Sequence, residues 1–414
     1  MIKHSATLAI NEKIDARRAA GLPVIHLGFG EAGLPVPPEV AAALAEATTA
    51  NAYGPVAGSP DTRRAVAGYY TRRGLPTEAD GVVLAPGSKA LLYAALAALP
   101  GDLVLPIPCW VSYAAQAQLT GKRVIGVPIP EDAGGIPDPE RLERALTQAR
   151  AAGADPRIMI LTLPDNPTGT QAGTDAVKRV CELAEQYDMV IISDEIYRDL
   201  AYDPSAQLSP ATLLPERTVV TGGLSKNMAL GGWRIGFARL PDGAPGRELH
   251  SEIIGIASEI WSSLAMPMQA AASYVLDEPE PVVEHIAAAR RLHATVSGAV
   301  HAAFTEAGAN CRIPTAAFYC YPDFEPLRPA LRARGLTTGV ALAEHLLEEH
   351  GVGVLAGEHF GDAPDAYRFR VASSLLYGEA SAQRWEALRS TDPLALPWIA
   401  DTLSQLRSVL ATLA

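Results

Sequence analysis

The sequence predicts an α/β protein: a mostly parallel sheet with helices on both faces, plus a smaller α+β domain built from the N- and C-terminal parts. Three observations predict it. The chain has 414 residues, more than one core usually takes at about 150 residues per domain. From residue 81 onward, short apolar runs alternate with stretches of helical period, the pattern of parallel strands joined by crossover helices. After Pro314 this alternation gives way to short strands set between helices. The expected division is an N-terminal segment, 1–50, joining the small domain, a large domain over 51–285, and a small C-terminal domain over 286–414.

The elements follow in order. Residues 82–86 are an apolar run between Gly81 and Gly87 and form a strand. Residues 89–99 are rich in Ala and Leu, stop at Pro100-Gly101 and form a helix. Strands follow at 103–107 and 157–163, a helix at 174–187, then strands at 189–193, 218–221 and 235–240. Their strands are nearly all apolar, as expected when both sheet faces are covered. Long helical patterns run from 247 to 307. Beyond them come a strand at 318–321, a helix at 338–350, short strands at 352–355 and 368–371, and a closing helix through Leu410.

Composition narrows the function. Hydrophobic residues make up 48%, charged residues 19% and aromatics 6%, which is globular usage and excludes collagenous, coiled-coil and wholly disordered classes. Lys and Arg number 34 against 46 Asp and Glu, a net charge of −12. With no dense basic cluster, neither nucleic acid nor an anionic membrane is an expected partner. Asn11, Glu12, Lys13 and Asp15 interrupt any signal-peptide core. The longest apolar run, 90–99, is far short of the roughly 20 residues of a membrane span. Four cysteines without CxxC spacing point to reduced thiols in a cytoplasm, and no metal site is expected.

In a doubly wound sheet, ligands sit beyond the carboxyl ends of the strands. The strand at 157–163 ends in Pro164-Asp165-Asn166-Pro167-Thr168-Gly169, and that at 189–193 in Asp194-Glu195-Ile196-Tyr197. The strand at 218–221 ends in Gly222-Gly223-Leu224-Ser225-Lys226, soon followed by Gly231-Gly232-Trp233-Arg234. Singly, each has an ordinary explanation. Asn-Pro-Thr-Gly makes a good turn, Asp194 could cap a helix, and Lys226 and Arg234 could be surface charges. Their recurrence at neighbouring strand ends is harder to explain that way.

This ordered set resembles the pyridoxal-phosphate-dependent aminotransferases of class I and II, with the aspartate-aminotransferase-like fold. The resemblance runs from about Gly28 to Arg370. It rests on Ala52-Tyr53-Gly54, Gly87-Ser88-Lys89, Cys109-Trp110, Asp165 to Gly169, Asp194 to Tyr197, Ser225-Lys226 and Gly232-Trp233-Arg234.

The resemblance implies a role for each position. Lys226 matches the Schiff-base lysine, which holds pyridoxal phosphate and then moves the substrate's α-proton. Asp194 matches the carboxylate that keeps the pyridine nitrogen protonated. Asn166 and Tyr197 match donors to the cofactor's phenolic oxygen, and Trp110 matches the aromatic that stacks on its ring. Backbone N–H groups of Gly87, Ser88 and Lys89, the Ser225 hydroxyl and the Arg234 fork match the phosphate site. Tyr53 matches a tyrosine reaching the phosphate of the neighbouring subunit, so a homodimer with composite sites is implied. Arg370 matches the arginine that grips the substrate carboxylate, with Arg368, two residues away, as the alternative. Gly30 matches the glycine whose backbone approaches the substrate.

The implied activity is amino transfer between an L-amino acid and a 2-oxo acid. Two segments depart from the family pattern: Glu31-Ala32-Gly33-Leu34-Pro35, where a Glu-Pro-Asp-like run is common, and Ala316-Ala317-Phe318-Tyr319. Both border the substrate in the family, so they bear on specificity and outcome. A lyase or cyclase starting from the same carbanion is the alternative. A regulator using such a domain as a sensor would place a DNA-binding module before it, whereas the motifs here begin by Tyr53 and the charge is acidic.

Overall fold

The computed structural model describes residues 6–413. Seven strands form one sheet: β1 (Val82–Pro86), β2 (Asp102–Ile107), β3 (Val124–Pro128), β4 (Pro156–Thr162), β5 (Val190–Asp194), β6 (Thr218–Gly223) and β7 (Ile235–Arg239). Their spatial order is β1-β7-β6-β5-β4-β2-β3. Pairing is parallel from β6 through β3. β7 runs antiparallel to both its neighbours. The cause is its connection: residues 224–234 hold no α-helix, and a parallel return needs a crossover of a dozen or more residues.

Successive residues of β4 point to opposite faces. Ile158 and Ile160 join Leu105 and Ile192 in one core, whereas Met159 and Leu161 join Val104 and Ile191 in another. Helix α1 (Ser88–Ala98) covers the first with Leu91, Leu92 and Ala95. The helix Thr174–Gln186 covers the second with Val177, Val180 and Leu183. Both faces are dry, as the apolar strands require. β3, absent from the expected elements, is an edge strand paired only with β2 and mostly open to solvent, so it lacks the apolar signature.

A second, antiparallel sheet of Leu355–Ala356, Phe369–Ala372 and Tyr319–Cys320 belongs to the C-terminal part. Ile25–His26 pairs in parallel with Val352–Gly353, which ties the N-terminal segment to that part. The 27-residue helix Glu280–Glu306, about 40 Å long, links the two sheets' surroundings. Its Val282 and Ile286 pack in the core beside β1, while Leu292, Val296, Val300 and Phe304 enter the core of the smaller sheet. No helix among the described residues is long and apolar enough to cross a membrane.

Candidate active site

The carboxyl ends of β4, β5 and β6 and the start of α1 face Tyr319 and Arg370 of the smaller sheet across a cavity of about 540 Å³. Eleven residues expected at the site line it: Gly30, Ser88, Lys89, Trp110, Asn166, Asp194, Tyr197, Ser225, Lys226, Arg234 and Arg370. Gly87 lies just behind the wall, under the Arg234 guanidinium. Tyr53 is not in the cavity of its own chain; it is 93% exposed.

Local chemistry builds each turn. Asp165 is buried and its Oδ2 accepts from the Thr168 backbone N–H at 3.1 Å and the Thr168 hydroxyl at 2.6 Å, closing the turn that presents Asn166. Gly87 has φ +90°, and any side chain there would strike Arg234. A side chain at Gly236 would strike the Gly87–Ser88 peptide, so β7 can approach the start of α1 only as glycine. That approach places Arg234, itself at φ 56°, beside the uncapped N-terminus of α1. Ser88, Ser225 and Arg234 surround this positive end, an arrangement suited to an anion.

Asp194 ends β5 and is buried. Tyr113 donates to its Oδ2 at 2.8 Å and Thr221 to its Oδ1 at 3.2 Å. Among the described residues no cation pairs with it. Burial therefore pushes its carboxyl up from 3.8 to about 6, even though the Tyr113 and Thr221 hydroxyls pull it down. Lys226 donates to the Gly30 carbonyl at 2.5 Å. Burial, and then the nearby Arg370 charge, lower its amine from 10.5 to about 8.

Arg370 donates to the Gly28 carbonyl at 2.9 Å and to Asn166 Oδ1 at 3.3 Å, while its buried Nε has no partner. Arg368 is engaged elsewhere, with Asp323 at 2.8 Å and Asp362 at 3.1 Å, which separates the two candidate arginines. Asn166 Nδ2 lies 3.4 Å from the Tyr197 hydroxyl, and the Tyr197 and Tyr319 hydroxyls are 2.8 Å apart. Trp110 meets Tyr113 edge to face, and Lys89 Nζ lies 5.0 Å from the Trp110 ring centre.

Three supporting residues escaped the sequence. Tyr113 and Thr221 hold Asp194, and the Tyr319 hydroxyl meets Tyr197. Tyr113 follows Trp110 by three residues, one helical turn, which was the available signal. Tyr319 closes the segment Ala316 to Tyr319, whose departure from the family pattern bears on specificity rather than on Tyr197.

A family model described as aminotransferase class I and II matches residues 23–375. The aspartate/prephenate aminotransferase of Cereibacter sphaeroides is 34% identical over 384 residues, 90% of this chain and 92% of that one. The aspartate aminotransferase of Geobacillus stearothermophilus is 32% identical over 397 residues, 92% and 95% of the two chains. Among solved structures, aspartate aminotransferase from Thermus thermophilus with maleate aligns with a TM-score of 0.80 at 29% identity, covering 94% of this chain and 96% of that one. Each is an aminotransferase, which favours amino transfer over a lyase or cyclase outcome. A match spanning most of the chain, on a sheet with this site at its strand ends, makes the protein a member of the class I and II aminotransferases, a family of pyridoxal-phosphate enzymes.

Proposed function

We propose that the cavity binds pyridoxal 5'-phosphate and that the chain uses it to move an amino group between an L-amino acid and a 2-oxo acid. The observation that carries this is the convergence of an amine, a buried carboxylate and a buried guanidinium, Lys226, Asp194 and Arg370, on one cavity. The donor set fits the cofactor. A buried carboxylate without a cationic partner suits a protonated ring nitrogen. The uncapped start of α1 with Ser88, Ser225 and Arg234 suits a phosphate.

When bound, the cofactor supplies an aldehyde that takes up the amino group and a ring that accepts the electron pair left at the substrate α-carbon. Lys226, with its amine near 8, is a competent nucleophile at neutral pH. It would hold the cofactor through its aldehyde, and its freed amine would move the proton at the substrate α-carbon. Asp194 keeps the proton on the ring nitrogen. Asn166 and Tyr197 donate to the phenolic oxygen, and Trp110 covers the ring. Arg370, whose Nε is buried without a partner, takes the substrate carboxylate next to Gly30.

Relatives named for aspartate and the extra cation of Lys89 in the cavity support a dicarboxylic partner for one half of the exchange. The exposed ring of Tyr53, outside its own cavity, supports a homodimer in which it reaches the other subunit's phosphate. Free cysteines accord with a cytoplasmic setting.

The test is a half-reaction screen of the purified holoprotein, following loss of the cofactor's visible band with each amino acid. Aspartate and glutamate should discharge it and yield pyridoxamine phosphate. Products released without pyridoxamine phosphate would overturn amino transfer. Mixing Tyr53→Phe with Lys226→Ala subunits tests assembly: the site with intact Lys226 should regain wild-type cofactor affinity. If it keeps the weakened affinity of the Tyr53→Phe homodimer, Tyr53 serves its own subunit.

A further inference from the structure

Two buried polar residues stand beside the active site and take no part in the chemistry above. Asp199 follows Tyr197 by two positions and Asn227 follows Lys226 directly, yet neither lines the cavity. Asp199 is buried in the short turn Arg198–Leu200. Its Oδ1 accepts from Arg73 Nε at 3.1 Å and Nη2 at 2.9 Å, a two-point fork. Its Oδ2 accepts from the Tyr69 hydroxyl at 3.0 Å and from Asn227 Nδ2 at 2.8 Å.

Three of these groups anchor the carboxylate to helices. Tyr69 lies in the helix Pro60–Arg72, and Arg73 caps its C-terminal end. Arg73 is paired in turn with Glu278. Arg290, on the helix Glu280–Glu306, donates to the Asp199 carbonyl at 3.3 Å. Asp199 is therefore a fixed point, and the fourth group, Asn227, ties the loop of Lys226 to it.

That tie has a cost. Asn227 is 4% exposed, and its Oδ1 is buried without a partner. A half-answered buried amide is less favourable than an apolar side chain of the same shape, so the bond to Asp199 contributes position more than stability. Position is what Lys226 needs. Its amine ends a flexible four-carbon stem and makes a single hydrogen bond, to the Gly30 carbonyl. The loop 224–230 that carries it holds no helix or strand. Backbone bonds close the ends of that loop, Leu230 to Leu224 at 3.0 Å and Leu224 to Ile235 at 3.2 Å, whereas Asn227 holds its middle.

We propose that Asp199 and Asn227 are positioning residues that fix the Lys226 amine in the cavity by tying its loop to the turn after Tyr197; on the reading above, this is the amine that holds pyridoxal phosphate. Asn227→Ala changes no charge. The charged groups that face Lys226, namely Arg370, Glu31, Arg234 and Asp194, belong to other segments and stay in place. Burial keeps the amine near 8, and a loosened loop admits water to it, so its ionisation reports its position.

Competitive labelling of the cofactor-free full-length protein with acetic anhydride across pH, read at the peptide that contains Lys226, tests this. The labelling midpoint in Asn227→Ala should move up by about half a unit or more, which lowers the unprotonated fraction at pH 7 about threefold. Covalent uptake of pyridoxal phosphate at pH 7 should slow by at least that factor. Asn227→Leu, which fills the space without a donor, should behave in the same way. Tyr69→Phe removes a hydrogen bond from the same Oδ2 and leaves the Lys226 loop untouched, so its midpoint should match wild type. A wild-type midpoint in either Asn227 variant, or an equal shift in Tyr69→Phe, would show that the cluster only stabilises the fold and would overturn the proposal. The expected shifts in a protein that captures no pyridoxal phosphate would support the positioning and overturn the proposed function instead.

Discussion

Replacing Asp194 with Asn should stabilise the cofactor-free protein, and should do so only above the acid range. Burial raises the Asp194 carboxyl from 3.8 to about 6, whereas an unfolded Asp titrates near 3.9. The folded state therefore holds the proton more tightly than the unfolded one. Stability is fully present below about pH 4, falls as pH rises toward 6, and levels off above. About two units correspond to roughly 3 kcal/mol of cost at neutral pH. Asn keeps the shape and removes the charge, and the Tyr113 and Thr221 hydroxyls can turn to suit it. Urea unfolding of both cofactor-free proteins at one concentration should show the advantage of Asp194→Asn growing by about 2 to 3 kcal/mol between pH 4 and 7. Saturating pyridoxal phosphate should reverse the order, because a protonated ring nitrogen answers the wild-type charge and leaves Asn with nothing to answer. A difference that stays flat across this pH range would show that Asp194 ionises without penalty, and the reasoning from burial would fail.

Three further outcomes follow from the same geometry. The rate at which cofactor-free protein takes up pyridoxal phosphate covalently should rise with pH and level off above about 8, since only the unprotonated Lys226 amine attacks; a profile rising to pH 10 would mean that Lys226 is not desolvated. Arg370→Lys keeps the charge and loses the fork, so KM for the amino acid and the oxo acid should both rise by about one to two decades, the equivalent of one charge-assisted hydrogen bond. An unchanged KM would return the carboxylate to another cation. Tyr319→Phe removes the 2.8 Å partner of the Tyr197 hydroxyl and leaves the Tyr197 proton free for the cofactor's phenolic oxygen, so the pH at which the visible band titrates should move down by about half to one unit; an unmoved band would show that Tyr197 is set by other neighbours.

The buried strands were legible because both of their faces are dry, which leaves an unbroken apolar run flanked by breakers. β3 was not legible for the opposite reason. As an edge strand it exposes Val124, Gly126 and Pro128, and nothing in such a run distinguishes it from a loop. The helical stretch over 247–307 proved to be three helices, Gly243–Ile260, Met266–Leu276 and Glu280–Glu306. Near its breaks, Ser262 and Glu278 take φ of 60° and 55°. Non-glycine residues seldom adopt this conformation, but prolines mark the helix starts that follow, Pro267 in one first turn and Pro279 and Pro281 at the other. Direction was hidden: composition describes how deeply β7 is buried, while the length of its connection decides which way it runs.

The site divides along the same line. Many of the residues proposed to meet cofactor and substrate lie in or beside turns, where Gly, Pro, Asn and Asp are demanded by the backbone itself and stand out from the apolar strands nearby; Arg370, within the strand Phe369–Ala372, is an exception. The residues that set their charge state lie inside elements and have the composition of core. Tyr113 reaches Asp194 across 81 positions of sequence, and Tyr319 reaches Tyr197 across 122; both contacts are made by packing, which no local pattern records. Yet these hydroxyls help decide whether Asp194 is a carboxylate at neutral pH and how well Tyr197 donates. A chain with every turn motif intact but Phe at 113 and 319 would look the same in sequence. It would hold Asp194 more fully protonated, and so would bind the protonated ring less well. The motifs therefore announce which chemistry the cavity performs, and the buried hydroxyls set the pH at which it does so.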